Sequence, residues 1–274
     1  MAITGIFNSH LMLALAVEKF GTEPQRRHWL PKFASGEIRG GLALTEPNAG
    51  TDLQAIRMTA RRDRGDYVIN GTKTWISNGI EGSCFALLVK TNSEASPRYS
   101  GMSLFIAPKG PGFTVGRKLE KLGYKSIDSG ELIFQDYRIP ADHLIGPEGA
   151  GFLLAQARLG PGRIHHCMRW LGQSQRAFDM MCERALSRYT HGSLLSEKQT
   201  IQNWIADSMA EMHAARLMTL HAAWKMDQVG ASAARVEIAM IKYYGATVLH
   251  NVIDRALQTY GSLGYSSDMP LEAM

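Results

Sequence analysis

The chain changes hydrophobic period along its length, and no single-layer architecture accommodates both periods. From Gly151 onward apolar residues recur every three or four positions. The first run holds Ile164, Cys167, Met168, Leu171, Phe178, Met181, Ala185 and Tyr189. The second holds Ile201, Trp204, Ile205, Met209, Met212, Thr219, Ala222 and Met226, and the third Val236, Ala239, Met240, Tyr243, Ala246, Ile253, Leu257 and Tyr260. Each predicts a helix of roughly 30 residues, about 45 Å long. Short Gly- or Ser-containing joints then predict an antiparallel bundle of the four-helix type. The methionines on these stripes read as core rather than as a soft substrate wall.

Between about Gly40 and Pro147 the pattern is instead short strands separated by turn residues. Arg57–Arg61 and Tyr67–Asn70 flank a polar hairpin signal at 62–66, and Asn70-Gly71 is a strong type I′ pair. Phe85–Lys90, Met102–Ala107, Phe113–Val115 and Glu131–Phe134 read as further strands, which predicts a β-barrel or sandwich. Residues 1 to about 40 read as helical, with Leu11, Leu13, Ala14 and Val17 apolar and Gly36 as C-cap. The expectation is an α+β multi-domain chain. Its parts are a helical segment over 1–40, a middle β-barrel over 41–150 and a long-helix bundle over 151–274.

A net charge of +5 suits an anionic ligand such as a dinucleotide, but Lys and Arg are scattered among acids, without the basic run that nucleic acid would require. The three cysteines, Cys84, Cys167 and Cys182, are odd in number, widely spaced and without a CxxC pair, which argues against a disulfide framework or a zinc site and suits a reducing compartment. Residues 1–20 resemble a signal peptide only superficially, because no basic segment precedes the apolar run and Glu18 and Lys19 follow it. An amphipathic helix fits better. No apolar stretch reaches the roughly 18 residues of a membrane span.

Two segments carry candidate chemistry. Leu42-Ala43-Leu44-Thr45-Glu46-Pro47-Asn48-Ala49-Gly50-Thr51-Asp52 begins as a strand and ends as a turn-rich loop, whose hydroxyl and amide groups suit a heteroaromatic edge or a phosphate. A plain polar loop is the bland alternative. In Trp75-Ile76-Ser77-Asn78-Gly79 an indole and a hydroxyl two positions on share one strand face, as a ring-shaped cofactor would need, whereas a buried barrel Trp is the bland alternative. His165-His166 point about 100° apart on a helix and do not chelate one ion.

Taken together these segments resemble the acyl-CoA dehydrogenase family, with its TEP-x-AGSD loop and W-I-[ST]-N-[GA] strand. The resemblance continues through Gly146–Phe152, Gly160–Ile164, Arg188–Gly192, Gln199 and Gln258–Tyr265, and is especially close to the branch of family members ten and eleven at Gly160–Arg169. It implies FAD as cofactor. Leu42, Leu44, Thr45, Gly50, Thr51, Trp75, Ile76 and Ser77 would then meet the flavin of this chain. Arg188, Thr190, Gln199, Gln258, Gly261 and Ser262 would meet FAD held mainly by a neighbouring subunit, in a homodimer or homotetramer with shared sites. Thr51 stands where Ser is usual and would also touch the thioester. His191 replaces the usual Phe. Arg163 would help hold the acyl-CoA thioester, with a structural ion pair as its alternative.

The family's chemistry is flavin-dependent α,β-dehydrogenation within fatty-acid β-oxidation, with electrons passed to an electron-transfer flavoprotein. Its proton acceptor is a carboxylate, either before the last bundle helix or immediately before the Arg matched by Arg163. Here Gly162 precedes Arg163, and the sequence stops at Met274. No catalytic residue is therefore assigned, and the expectation is a chain truncated at both ends, lacking its last bundle helix. A base-less partner subunit and a non-functional fragment remain alternatives, as do oxidases or monooxygenases on the same scaffold. The expected location is the cytoplasm, or the mitochondrial matrix if a missing N-terminus carried a transit peptide.

Overall fold

Thr22 divides the N-terminal helical stretch in two. Its hydroxyl accepts from the Gln25 amide (3.4 Å) while the Gln25 side chain accepts from the Thr22 amide (2.9 Å), a capping box that starts a new helix. The stretch is therefore α1 (Ala2–Phe20) followed by α2 (Glu23–Ser35), which Gly36 closes at φ 77°. In this computed structural model residues 2–121 and 126–274 are described, and they form two compact units, Met1–Arg158 and Leu159–Met274. Met1, the first residue of the expected N-terminal helix, lies outside the described residues.

The first unit carries strands β1 (Gly40–Ala43), β2 (Thr59–Asp63), β3 (Asp66–Ser77), β4 (Cys84–Lys90), β5 (Met102–Pro108), β6 (Phe113–Lys118), β7 (Ser129–Pro140) and β8 (Leu144–Ile145). They hydrogen-bond in the order β6-β7-β3-β2-β4-β5-β8, with β1 parallel to β4. That path is open. The sheet curls on itself through its side chains: Phe85 of β4 meets Phe113 of β6 at 5.9 Å between ring centres, and the Tyr137 hydroxyl of β7 donates to the Pro108 carbonyl of β5 (2.6 Å).

Strand β4 has no solvent face. Phe85, Leu87 and Val89 point into the barrel core with Tyr67, Phe105, Phe134 and Ile139. Cys84, Ala86 and Leu88 point the other way, into a second core roofed by Leu13 and Val17 of α1 and Trp29 and Phe33 of α2. This is why the strand reads as an unbroken apolar run rather than an alternation.

The hairpin read at 62–66 forms, while the type I′ expectation at Asn70-Gly71 is corrected. The type I′ turn is Arg64-Gly65 (φ 52° and 93°), which joins β2 to β3 with Asp63 paired to Asp66. Asn70-Gly71 lies inside β3 at a register shift, and Asn70 is spent across the sheet. Its Oδ1 accepts from the Asp136 amide (2.8 Å) and its Nδ2 donates to the Asp136 carboxylate (3.2 Å). The hairpin that the pair would close is pre-empted by a cross-strand bulge.

In the second unit α3 (Gly151–Ser187, entering from the first), α4 (Gln199–Ala233) and α5 (Arg235–Tyr260) run up, down and up. Gly160 of α3 faces Ala231 of α4, so closely that a Cβ at 160 would sit 3.0 Å from the alanine methyl. Lys225–Glu237 and Glu211–Arg255 pair α4 with α5 in antiparallel sense. Gly230, at φ 81°, interrupts α4 before the joint. No helix among the described residues is long and apolar enough to cross a membrane.

Leu87 is fully buried in the barrel core, so Leu87→Ala is expected to cost about 2–5 kcal/mol. Leu153→Ala, at a position 58% exposed, should stay within about 0.5 kcal/mol of wild type. Paired urea titrations measure both; equal losses would show that the core assignment is wrong.

Candidate functional site

Immediately after β1 the chain is tied to β3 by a lysine inside the barrel wall. Lys73 is 0% exposed, and its Nζ donates to the Leu44 carbonyl (2.8 Å) and to Glu46 Oε1 (2.9 Å). The Glu46 carboxylate, itself buried, also accepts from the Arg57 amide (2.6 Å) and the Met58 amide (3.1 Å). One residue along, the Thr74 amide donates to the Thr45 carbonyl (2.9 Å). Three successive residues, 44 to 46, are thus held from two neighbouring segments.

The consequence for the ligand-facing side follows from peptide geometry. In a trans peptide C=O and N–H point in opposite directions. The Leu44 carbonyl is held toward Lys73, so the Thr45 N–H points away from it. The Glu46 N–H is spent on the Ala49 carbonyl (2.9 Å), closing the turn over Pro47-Asn48. Beyond that turn Gly50 and Thr51 are exposed, and a Cβ at Gly50 would meet nothing within 4 Å.

Trp75 departs from the regular strand expected there. It sits at φ 60°, in a register shift between Lys73 and Ile76, and is 57% exposed. A buried barrel Trp is excluded, and the simple two-residue period linking it to Ser77 is broken by the bulge. Left-handed backbone at an aromatic residue is strained and persists only where the surroundings impose it. Those surroundings are visible. Thr74 is fixed to Thr45 on one side, and on the other the Asn78 Nδ2 donates to the Gly40 carbonyl (3.0 Å). Between these ties β1 comes so close that a Cβ at Gly41 would lie 2.9 Å from the Ser77 carbonyl.

The expected residues therefore divide by what they present. Thr45, Gly50, Thr51, Trp75 and Ser77 have exposed or half-exposed side chains or backbone. Ile76 turns into the barrel core, and Leu42 and Leu44 pack on the core beneath α1 and α2, which leaves those three only their backbone for a ligand. Lys73 is the residue with no sequence signature; the one hint is a lysine at an inward position of an alternating strand.

In the second unit, Thr190 belongs to a two-stranded hairpin, β9 (Tyr189–Thr190) and β10 (Ser193–Leu194), and Arg188 directly precedes it, its carbonyl accepting from the Leu195 amide (2.9 Å). His191 and Gly192 make the hairpin's turn at φ 47° and 79°. Gln199 begins α4, while Gln258 lies in the last turn of α5, its carbonyl accepting from the amide of the cap Gly261 at φ 66°. The Tyr260 hydroxyl donates to the Met180 carbonyl (3.2 Å), and Arg184 lies over the Tyr260 ring at 5.2 Å. The ends of α3 and α5 are thereby brought side by side. Arg188, Thr190, Gln199, Gln258, Gly261 and Ser262 consequently gather at one end of the bundle, mostly exposed. Arg163 is not with them. It stands on α3 about 36 Å nearer the opposite end at 1.5 Å per residue. Arg163 takes part in no ion pair among the described residues, and Gly162 before it is buried. No cluster of metal-ligating side chains occurs among the described residues.

The family model "Acyl-CoA dehydrogenase, middle domain" matches residues 41–137, and "Acyl-CoA dehydrogenase, C-terminal domain" matches 149–274. A probable acyl-CoA dehydrogenase, FadE2, of Mycobacterium tuberculosis is 42% identical over 92% of this chain and 63% of its own length. Acyl-CoA dehydrogenase family member 10 of Mus musculus is also 42% identical, over 92% of this chain and 24% of its own. Butyryl-CoA dehydrogenase from Megasphaera elsdenii superposes with a TM-score of 0.91 at 32% identity, covering 98% of this chain and 71% of that one. The chain thus spans less than two thirds of the length of these first two relatives.

Burial pushes the Lys73 ammonium down from 10.5 to about 8, although Glu46 pulls the other way. An unfolded lysine titrates near 10.4, so between these values the unfolded chain holds a proton that the folded one has released, and stability rises with pH. The unfolding free energy of wild type minus that of Lys73→Met is therefore expected to increase from about pH 8 to about pH 10.4. A difference that stays flat in paired denaturations would mean that the ammonium is not desolvated.

Proposed function

The chain belongs to the acyl-CoA dehydrogenase family, and on that premise we propose that it holds FAD and an acyl-CoA thioester for α,β-dehydrogenation. The observation that carries the reading is the pinned 44–46 segment beside an exposed, strained Trp75. An outward amide donor at Thr45, an indole available for packing and open space at Gly50 fit the polar edge and the face of a flavin ring. FAD, when bound, supplies the hydride acceptor.

This chain's own residues do the rest. Thr45 offers its amide and hydroxyl to the ring edge, Trp75 covers part of the ring, and the Ser77 hydroxyl donates to it. Gly50 and Thr51 let the backbone approach closely, with the Thr51 hydroxyl available to the thioester. The Arg163 guanidinium suits a carbonyl or phosphate oxygen of the substrate. At the far end of the bundle, Arg188, Thr190, Gln199, Gln258, Gly261 and Ser262 suit a dinucleotide. Their separation from Arg163 and their exposure support a site completed by a second copy of the chain.

Gly162 favours a second reading. It provides no proton acceptor beside Arg163, so a chain that binds FAD for a heteromer without abstracting the α-proton accommodates the same geometry.

Anaerobic visible spectra before and after addition of acyl-CoAs of several lengths test both. Flavin bands that bleach support the dehydrogenase, and bands that persist support the base-less partner. Trp75→Ala should weaken FAD binding roughly three- to tenfold. Purified wild-type protein that does not take up FAD at all would sink both readings.

A further inference from the structure

A lysine inside a barrel wall is costly, and a buried ion pair is seldom worth more to stability than two apolar side chains of similar volume. The fold keeps Lys73 and Glu46 at this cost, so their placement calls for another account. An ammonium has three donors and no acceptor, and here two of them are directed, one to a backbone carbonyl and one to a carboxylate. The carbonyl is that of Leu44, and its peptide carries the Thr45 N–H on the opposite side. The carboxylate is that of Glu46, anchored in turn on the Arg57 and Met58 amides. Lys73 is itself two positions before Trp75, and its neighbour Thr74 holds the Thr45 carbonyl. A single buried charge therefore sets the direction of one amide and the register of that amide against the strand bearing the indole.

We propose that Lys73, with Glu46 as its counter-charge, is a positioning residue for the ring-binding edge: it fixes the 44–46 segment so that the Thr45 N–H is held outward in register with Trp75. This rests on the flavin reading above and deepens it. The pair touches no ligand. It acts through the backbone it holds, in the way that groups supporting a site determine whether its donors are pre-organised. An apolar pair at 73 and 46 would fill the space but leave the Leu44 carbonyl without its donor and free to turn.

The test compares wild type with Lys73→Met/Glu46→Gln, in which both charges go together and neither is stranded. Three quantities are read: the dissociation constant for FAD, the visible circular dichroism of the bound flavin, and hydrogen exchange at the Thr45 amide without flavin. The double variant is expected to bind FAD at least about tenfold more weakly, as loss of a charge-assisted hydrogen bond would give. Its bound flavin should show an altered visible dichroism and its Thr45 amide faster exchange, with a melting temperature close to wild type. If the double variant does not fold, Lys73→Leu/Glu46→Gln serves, because it too strands no charge while filling the space with a different shape; the same three changes are expected. Wild-type affinity and an unchanged flavin dichroism in a folded variant would overturn the proposal, whether or not exchange at Thr45 rises. A wild-type protein that takes up no FAD gives a different signature. It removes the flavin reading first, and this inference with it.

Discussion

A charge held inside an apolar wall allows its surroundings very little freedom. The Lys73 ammonium must be met by oxygen on every side that water cannot reach, so a carbonyl from one segment and a carboxylate from another are drawn to the same point. Once they are, the chain leaving β1 has one course. It is hydrogen-bonded to β3, turns over Pro47-Asn48 with its own backbone bonds, and emerges as the exposed Gly50-Thr51 corner. The barrel core and the roof of α1 and α2 act in the same sense. They bury β4 on both faces, and β4 is the partner along which β1 is laid.

Much of this was legible in the residues. The change from short strands to long three-and-four spacing located the bundle, and the unbroken apolar run 84–89 reflects a strand covered on both sides. What was not legible depends on partners distant in the chain. Asn70-Gly71 has the composition of a tight turn, yet Asp136 claims the Asn70 side chain across the sheet, and the positive-φ pair is Arg64-Gly65, inside the hairpin that the polar run 62–66 does announce. Trp75 lies in what reads as regular strand, and only the ties at Thr74 and Asn78 show why its backbone cannot be regular. Lys73 is silent in sequence because its partner Glu46 lies 27 residues away.

The second unit was more legible in fold than in site. Periodicity located its helices, and the pairs between α4 and α5 confirm their antiparallel sense. The hairpin carrying Thr190 and the glycine cap at Gly261 are local matters of positive φ, fixed by His191-Gly192 and by the end of α5. No periodic pattern shows that these loops gather at one end, because that depends on the helix-end contact made by Tyr260 and Met180.

Trp75 illustrates a tension between persistence and use. Its backbone occupies a conformation that glycine adopts freely and that an aromatic side chain disfavours. A random search for hardier versions of this protein would be drawn to glycine at that position, since the strain would vanish with the side chain. The molecule would gain tolerance to heat and lose the indole on that edge. Stability screens run without regard to ligand would thus count as an improvement the removal of the group that gives the edge its purpose.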